Sequence, residues 1–288
     1  MKLNIEEYVR KEKLKLSEKF RSIENPKLWI LTDHSSVASE SYMRSKTKIG
    51  NELGVTVDII DIGSEQELRD IISYSVKYNI PMILQLPCKK EYIDIYNELK
   101  PKTDVDGFFA YEDIYKGNVD GIVPATPKGI LKYIHRWCIG KNKELNKLTV
   151  TILGRGELVG KPLAALLNKR IGTLNVLTSR THQRIKDEIL AKTHIVILAT
   201  GDDMSLGNCI LSKARLVLDC GVFRDENGKL YGEFTKYLNQ FPDDIREMLE
   251  DDIDYTPVPK GVGILTTLSL FDNVYQLYNK EVSADDSY

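Results

Sequence analysis

Two clusters of residues in this chain have the types and spacing to do chemistry. In the first, Tyr42 and Lys46 lie four residues apart in a helix-like stretch, so an aromatic ring and an amine share one face and can flank one ligand. The same spacing also describes a solvated basic face, since Arg44 and Lys48 lie close by. Two polar residues interrupt segments that are otherwise apolar. Gln85 stands at the C-terminal end of the strand-like run PMILQLP, where ligands collect in parallel sheets, and Asp106 sits in Asp104-Val-Asp-Gly107 before a turn. A satisfied buried amide and a turn-forming Asx are their structural alternatives.

The second cluster is the stretch Leu148 to Pro162, LTVTILGRGELVGKP. A β-branched, alternating run predicts a strand, which stops at Gly154-Arg155-Gly156. Gly160 allows a close approach, and Pro162 suits the first turn of a helix whose buried face is Leu163 to Leu167. Strand, glycine turn and helix together predict a phosphate site, because free amides and the positive end of the helix dipole attract a pyrophosphate. The spacing Gly154-x-Gly156-x-x-x-Gly160 is one residue longer than G-x-G-x-x-G, so a purely structural turn stays open at this point. The next strand ends Leu177-Thr-Ser-Arg180-Thr181 with no carboxylate for ribose hydroxyls. Ser179, Arg180 and Arg155 suit a 2′-phosphate, so the expected cofactor is NADP, with NAD as the alternative; the residues around Arg180 can equally be read as a helix cap.

Other chemistries find no support. His34, His135, His182 and His194 have no partner at ligand spacing and read as surface or capping residues, and no C-x-x-C or Cys/His pair points to a metal. Cys88, Cys138, Cys209 and Cys220 read as buried thiols in a reducing cytoplasm. No G-x-S-x-G, P-loop or H-E-x-x-H occurs.

The elements that must position these residues follow from periodicity. The 288 residues are 42% hydrophobic and 28% charged with net charge −2, enough apolar content for two domains and no basic footprint for nucleic acid or an acidic membrane. The charged amphipathic start is a helix rather than a signal peptide, and no run is long enough to span a membrane. Strands are predicted at 26–33, 55–62 and 81–87, alternating with helices from Ser35 or Ser36 to Leu53, at 65–78 and at 89–99. That βαβα order implies a parallel sheet with helices on its faces. After a linker, Thr126-Pro127 caps a helix over 128–137. A second, doubly wound sheet then takes strands at 148–153, 173–177, 194–200 and 215–222, with a helix at 182–192. Residues 224–254 read as a charged, loop-rich stretch, followed by the loop Tyr255 to Gly263, a last helix over 265–279 and a fraying tail.

Taken in order, these segments resemble the bifunctional methylenetetrahydrofolate dehydrogenase/methenyltetrahydrofolate cyclohydrolase (FolD) family. Tyr42-x-x-x-Lys46 is similar to its Y-x-x-x-K, Gln85-Leu-Pro87 to Q-L-P, Asp104-Val-Asp-Gly107 to D-V-D-G and Pro124-Ala-Thr-Pro-Lys-Gly129 to P-C-T-P-x-G. Gly154 to Pro162 resembles G-R-S-x-x-V-G-x-P, Ser179-Arg-Thr181 the H-S-[RK]-T segment, Asp219-Cys-Gly221 D-x-G, and Thr256 to Gly263 T-P-V-P-G-G-V-G. The resemblance implies a folate-binding α/β catalytic domain at residues 1–122 and 265–288, to which the C-terminal helix returns. A Rossmann-like NAD(P)-binding domain would occupy residues 123–264. It implies oxidation of 5,10-methylenetetrahydrofolate and hydrolysis of the methenyl product to 10-formyltetrahydrofolate by a cytoplasmic homodimer acting on tetrahydrofolate one-carbon derivatives.

By matching positions, Lys46 is the central catalytic residue, Gln85 positions it, Tyr42 lies against the aminobenzoate ring and Asp106 holds the pterin. Cofactor contacts fall at Gly154, Arg155, Gly156, Gly160, Ser179, Arg180, Thr200 and Gly201. Further substrate contacts fall at Pro257, Pro259, Gly261 and Gly263. The sequence departs from the family pattern at Ala125 for Cys, Gly156 for Ser, Thr178 for His, Lys260 for Gly, and Ile264-Leu265 for Pro-Met. Gly156 in particular removes a hydroxyl that can donate to a phosphate. Two other readings compete with this one: a shikimate-dehydrogenase-like NADP oxidoreductase, which leaves Y-x-x-x-K, Q-L-P and P-V-P unexplained, and a non-catalytic dinucleotide or folate sensor, which has no need of a cleft lysine.

Overall fold

The computed structural model describes residues 5–34, 37–110, 114–115 and 122–285. The cap expected at Ser35 or Ser36 and most of the linker before Ile122 lie outside the described residues. The chain divides into two compact units, Val9–Ala125 with Thr267–Tyr288, and Met1–Tyr8 with Thr126–Thr266.

In the first unit, helix α1 (Ile5–Phe20) precedes strand β1 (Lys27–Thr32), helix α2 (Val37–Leu53) and strand β2 (Thr56–Asp61). Helix α3 (Glu65–Lys77), strand β3 (Met82–Leu84) and helix α4 (Lys90–Leu99) complete the alternation. The sheet has the order β2-β1-β3 and is parallel, with Ile30 of β1 paired to Ile59 and Ile83 on either side. Leu31, Met82 and Leu84 pack with Leu68 and Ile72 of α3 and Tyr92, Ile95 and Tyr96 of α4 on one face. Gly50 lets α2 lie close on β2: a Cβ there would sit 2.4 Å from Val57 Cγ2 and 2.9 Å from Phe271 Cζ. Gly54 at φ +82 ends α2 in the left-handed conformation that favours glycine. Strand β3 is shorter than the predicted 81–87, stopping just before Gln85.

The second unit opens with α5 (Ala125–Gly140) and is built on strands β4 (Thr149–Leu153), β5 (Thr173–Leu177), β6 (Ile195–Leu198) and β7 (Leu216–Asp219). Helices α6 (Gly160–Asn168) and α7 (Gln183–Leu190) connect the first three. Pro127 lies in the first turn of α5 as expected. The helix starts before Thr126, however, and the Thr126 hydroxyl accepts from Thr266 rather than capping. The 224–254 stretch is more ordered than predicted. It holds a hairpin of β8 (Phe223–Arg224) and β9 (Leu230–Tyr231), helices α8 (Glu233–Leu238) and α9 (Asp243–Asp252), and β10 (Asp254–Tyr255). Strand β10 pairs with β7, giving the parallel order β10-β7-β6-β4-β5. Direction reverses at β4, since the chain goes outward to β5 and returns to β6 on the other side. The crevice beyond the end of β4 is therefore the topological switch point.

The last helix, α10 (Val262–Asp285), outruns the predicted 265–279 at both ends. No helix among the described residues is long and apolar enough to cross a membrane. Cys138 and Cys209 are buried free thiols as expected, whereas Cys88 and Cys220 are only half-buried.

Candidate functional site

In the first unit, α2 presents Lys46 inward although Arg44 and Lys48 on the same helix are exposed. Lys46 Nζ donates to Gln85 Oε1 at 2.8 Å. Gln85 is buried, and its Nε2 donates to the Leu86 carbonyl at 2.7 Å, which fixes the amide with its oxygen toward the lysine. Gln85 reaches this position because β3 ends at Leu84, next to β1, at the C-terminal edge of the sheet. Burial lowers the Lys46 pKa from the ordinary 10.5, and the charge of Asp106 opposes that shift. Tyr42, one turn earlier on α2, is 44% exposed, so an aromatic face is open beside the amine.

Asp106 is held through its backbone. Asp104, buried two residues before it, accepts from Tyr96 Oη (3.0 Å) and Asp106 N (3.3 Å) on Oδ1 and from Phe108 N (2.7 Å) on Oδ2. The Asp106 carbonyl accepts from Ala125 N at 3.0 Å. Gly107 has φ +79, and a Cβ there would fall 2.6 Å from Pro124 backbone atoms, so only glycine lets the two segments touch. Asn273 of α10, itself buried, locks them together by donating from Nδ2 to Val105 O (2.9 Å) and Val123 O (2.7 Å). Burial, with the charge of Asp106, pushes the Asp104 carboxyl up to about 7 against its hydrogen bonds. Reading by motif finds Asp106 but misses Asp104 as its anchor. It also misses Asn273, 168 positions from Val105. Ser39 is a third omission: its hydroxyl is buried without a hydrogen-bond partner two turns before Lys46 on α2.

In the second unit, β4 runs into the glycine turn and α6 starts at Gly160, with no side chain capping its N-terminus. Two glycines are obligatory. Gly154 has φ +106, and a Cβ there would lie 2.2 Å from Ala199 O; at Gly160 it would lie 2.4 Å from Gly154 O. Leu163, Leu166 and Leu167 bury the other face of α6, each fully buried leucine contributing about 1.5–3 kcal/mol. The turn borders a cavity of ≈ 500 Å³ lined by Gly154, Arg155, Gly156, Ser179, Arg180 and Thr200 among others. Gly156 faces open space, and a Cβ there would have nothing within 4 Å. Capping the next helix does not occupy Ser179 or Arg180. His182 accepts from Arg184 N at the start of α7, and the Thr178 and Thr181 hydroxyls accept from Arg180 N and Thr178 N within the turn. Gly201 follows at φ +72. This backbone cradle with two guanidinium groups fits a phosphate-bearing dinucleotide.

Pro257, Pro259 and Gly261 lie in the segment between β10 and α10, whereas Gly263, expected in the loop, falls in the first turn of α10. Gly261 is buried and tight, with a Cβ position 2.2 Å from Pro257 O, while Gly263 is open. Lys260 is exposed and holds φ +75. Among the described residues no group of three or more His, Cys, Asp or Glu is placed to hold a metal ion.

A parallel sheet with a glycine turn and a cavity at its switch point, in one chain with an α/β unit carrying a lysine–glutamine pair, defines an α/β protein of the dinucleotide-binding class. Residues 124–282 match the family model of the tetrahydrofolate dehydrogenase/cyclohydrolase NAD(P)-binding domain. The chain belongs to the tetrahydrofolate dehydrogenase/cyclohydrolase family. It is 31% identical over 286 residues to the bifunctional protein FolD of Streptococcus thermophilus, covering 95% of this chain and 93% of that one. It is 30% identical over 273 residues to the bifunctional protein FolD of Mesoplasma florum, covering 91% and 90%. Among solved structures it is similar to the bifunctional 5,10-methylenetetrahydrofolate dehydrogenase/cyclohydrolase of Thermoplasma acidophilum, with TM-score 0.80, 25% identity and coverage of 98% and 100%. The fold also matches the FolD enzyme of Campylobacter jejuni, with TM-score 0.79, 24% identity and coverage of 97% and 99%.

Proposed function

We propose that this chain oxidises 5,10-methylenetetrahydrofolate to the 5,10-methenyl cation with NADP, and hydrolyses that cation to 10-formyltetrahydrofolate. The observation that carries the reading is the Lys46–Gln85 pair, an inward amine of lowered pKa aimed by a buried amide. When bound, the dinucleotide accepts the hydride that leaves the one-carbon bridge. Gly154 and Gly156 line the cavity with Thr200 and offer backbone to its pyrophosphate, with Gly160 at the start of α6 and Gly201 next to Thr200 in sequence, while Arg155, Ser179 and Arg180 suit the 2′-phosphate.

In the hydrolytic step, water adds to the cationic carbon and one proton passes to Lys46 Nζ. Collapse to the formyl group then delivers the hydroxyl proton to N5 as the C–N5 bond breaks. A lysine of lowered pKa presents a neutral amine at a pH where a free lysine is charged, and Gln85 Oε1 accepts a hydrogen bond from its Nζ and holds it in place. Tyr42 offers a ring face to the aminobenzoate, and Asp106, held by Asp104 and Asn273, binds the pterin. Pro257, Pro259, Gly261 and Gly263 complete the substrate contacts.

A homodimer in the cytoplasm belongs to the same proposal, in keeping with four free thiols. Light scattering coupled to gel filtration checks the oligomer. Family membership leaves a shikimate-dehydrogenase-like reading without support. To test the function, purified protein is given methylenetetrahydrofolate with NADP or NAD, and the reduced nicotinamide and the methenyl chromophore are followed. No reduced cofactor with either dinucleotide sinks the oxidation, and accumulation of methenyl product at its spontaneous hydrolysis rate sinks the cyclohydrolase half. In Arg155→Ala/Arg180→Ala, KM for NADP should rise at least about tenfold with KM for NAD little changed, the loss of charge-assisted bonds to one phosphate.

A further inference from the structure

Glu233 is buried at 2% exposure on α8, in the stretch whose sequence reads as loop, and it lines no part of the Gly154 cavity. Its Oε1 accepts from Ser205 Oγ at 2.6 Å and from Leu206 N at 2.7 Å. Ser205 does line that cavity, as do Asp202 and Met204 of the same loop after β6. A second tie acts alongside, because Asp203 Oδ2 accepts from Tyr231 Oη (2.6 Å) and Lys236 Nζ (2.7 Å) on β9 and α8. The start of α8 is itself fixed from β7. Asp219 accepts from Phe234 N at 2.9 Å, and a Cβ at Gly232 would lie 2.3 Å from Asp219 Oδ2. A continuous chain of contacts therefore runs from the sheet, through α8, to the wall of the cavity.

We propose that Glu233 is a positioning residue for the dinucleotide, holding the Gly201–Leu206 loop as a preformed wall of the cavity so that cofactor affinity depends on a side chain the cofactor never touches. The inference rests on reading the Gly154 cavity as the dinucleotide site. An anchored loop spares the cofactor the entropic cost of ordering it, and an unanchored one does not. The carboxylate also makes the anchor sensitive to pH. Burial pushes Glu233 up to about 7, with the charges of Asp219 and Asp202 adding to the shift and the bonds from Ser205 and Leu206 opposing it. Asp219, likewise buried, is pushed up to about 6. The ionised form is the stronger acceptor, so the anchor weakens as pH falls through about 7.

The test measures dissociation constants for NADP and NAD by fluorescence titration of the full chain from pH 6 to 8.5, in wild type, Glu233→Gln and Glu233→Ala. Glu233→Ala should weaken binding roughly tenfold at pH 8, the effect of two lost hydrogen bonds to the loop. In Glu233→Gln, which keeps an acceptor oxygen, affinity at pH 8 should be restored to within about threefold of wild type, while the wild-type loss of affinity below pH 7 is reduced. Comparing these two proteins with one ligand cancels the titration of the cofactor's own phosphates. Glu233→Ala binding as wild type, or identical pH profiles for wild type and Glu233→Gln, overturns the proposal while leaving the cavity reading intact. A wild type that binds neither dinucleotide overturns both.

Discussion

Alanine at Gly154 and at Gly156, two positions apart in one loop, should have opposite consequences. Gly154 holds φ +106, and its missing Cβ would meet Ala199 O at 2.2 Å, Ala199 C at 2.6 Å and Thr200 N at 2.9 Å, all backbone atoms that cannot rotate away. Forcing a side chain into that conformation costs about 1–3 kcal/mol, and displacing the strand end it strikes costs about as much again. Together these give about 2–6 kcal/mol, which for a chain of this size lowers Tm by roughly 5 °C or more. At Gly156 a Cβ would meet nothing within 4 Å, and the backbone is outside the left-handed region. Alanine there removes freedom only from the unfolded chain, a gain of about 0.4–1 kcal/mol where its conformation is compatible. Calorimetric melts of the two variants, with NADP titrations on each, make the comparison. Gly154→Ala should melt lower and lose dinucleotide affinity, while Gly156→Ala should melt no lower than wild type. Melting points within about 1 °C of each other, or a greater loss at Gly156, would refute the steric reasoning.

Two further variants test the first unit. Lys46→Met should slow methenyl hydrolysis at least about 100-fold while Tm stays within about 4 °C, since it exchanges a part-buried amine for an apolar chain of similar length. The wild-type hydrolysis rate should rise with pH through a value below 10.5, because burial lowers the lysine pKa. The stability sign agrees: between the lowered folded value and 10.5 the unfolded chain binds more protons, so wild-type stability rises with pH across that window and Lys46→Met lacks this contribution. A variant with unchanged hydrolysis refutes the role given to Lys46. Asn273→Ala leaves the Val105 and Val123 carbonyls without its amide. It should cost about 2–4 kcal/mol in urea unfolding and raise KM for the folate more than it lowers kcat, since Asp106 loses its support. Unchanged stability would refute the clamp.

The glycine turn is legible in the sequence because its chemistry is local. Strand, turn and helix lie within about twenty consecutive residues, so the β4 alternation and the apolar face of α6 are both written locally. The same holds for Tyr42 and Lys46, one turn apart on α2. Residues 224–254 are not legible for the opposite reason. Strands β8, β9 and β10 have two residues each, too few to show a period, and β10 exists because β7 offers it an edge. Helix α9 has no fully buried residue and only a short apolar stripe of Ile245, Met248 and Leu249 among seven polar or charged positions, and α8 has only six residues.

What the sequence by itself determined is the inventory and the order: an amine and ring at helical spacing, an amide at a strand end, an acid in a turn and a glycine loop, in an arrangement that resembles one family. Only the tertiary structure decided that Lys46 rather than Arg44 or Lys48 turns inward, because that depends on Gln85 arriving from the end of β3 to accept a hydrogen bond from it. It also decided which acids are anchors. Asp104 and Glu233 look like ordinary charges in the sequence. Their roles arise from burial among donors supplied by Tyr96, Phe108, Ser205 and Leu206, contacts that exist only once the chain has folded. In the glycine loop, sequence marked Gly154 and Gly156 alike; the fold separated them, because Ala199 lies against one and open space against the other.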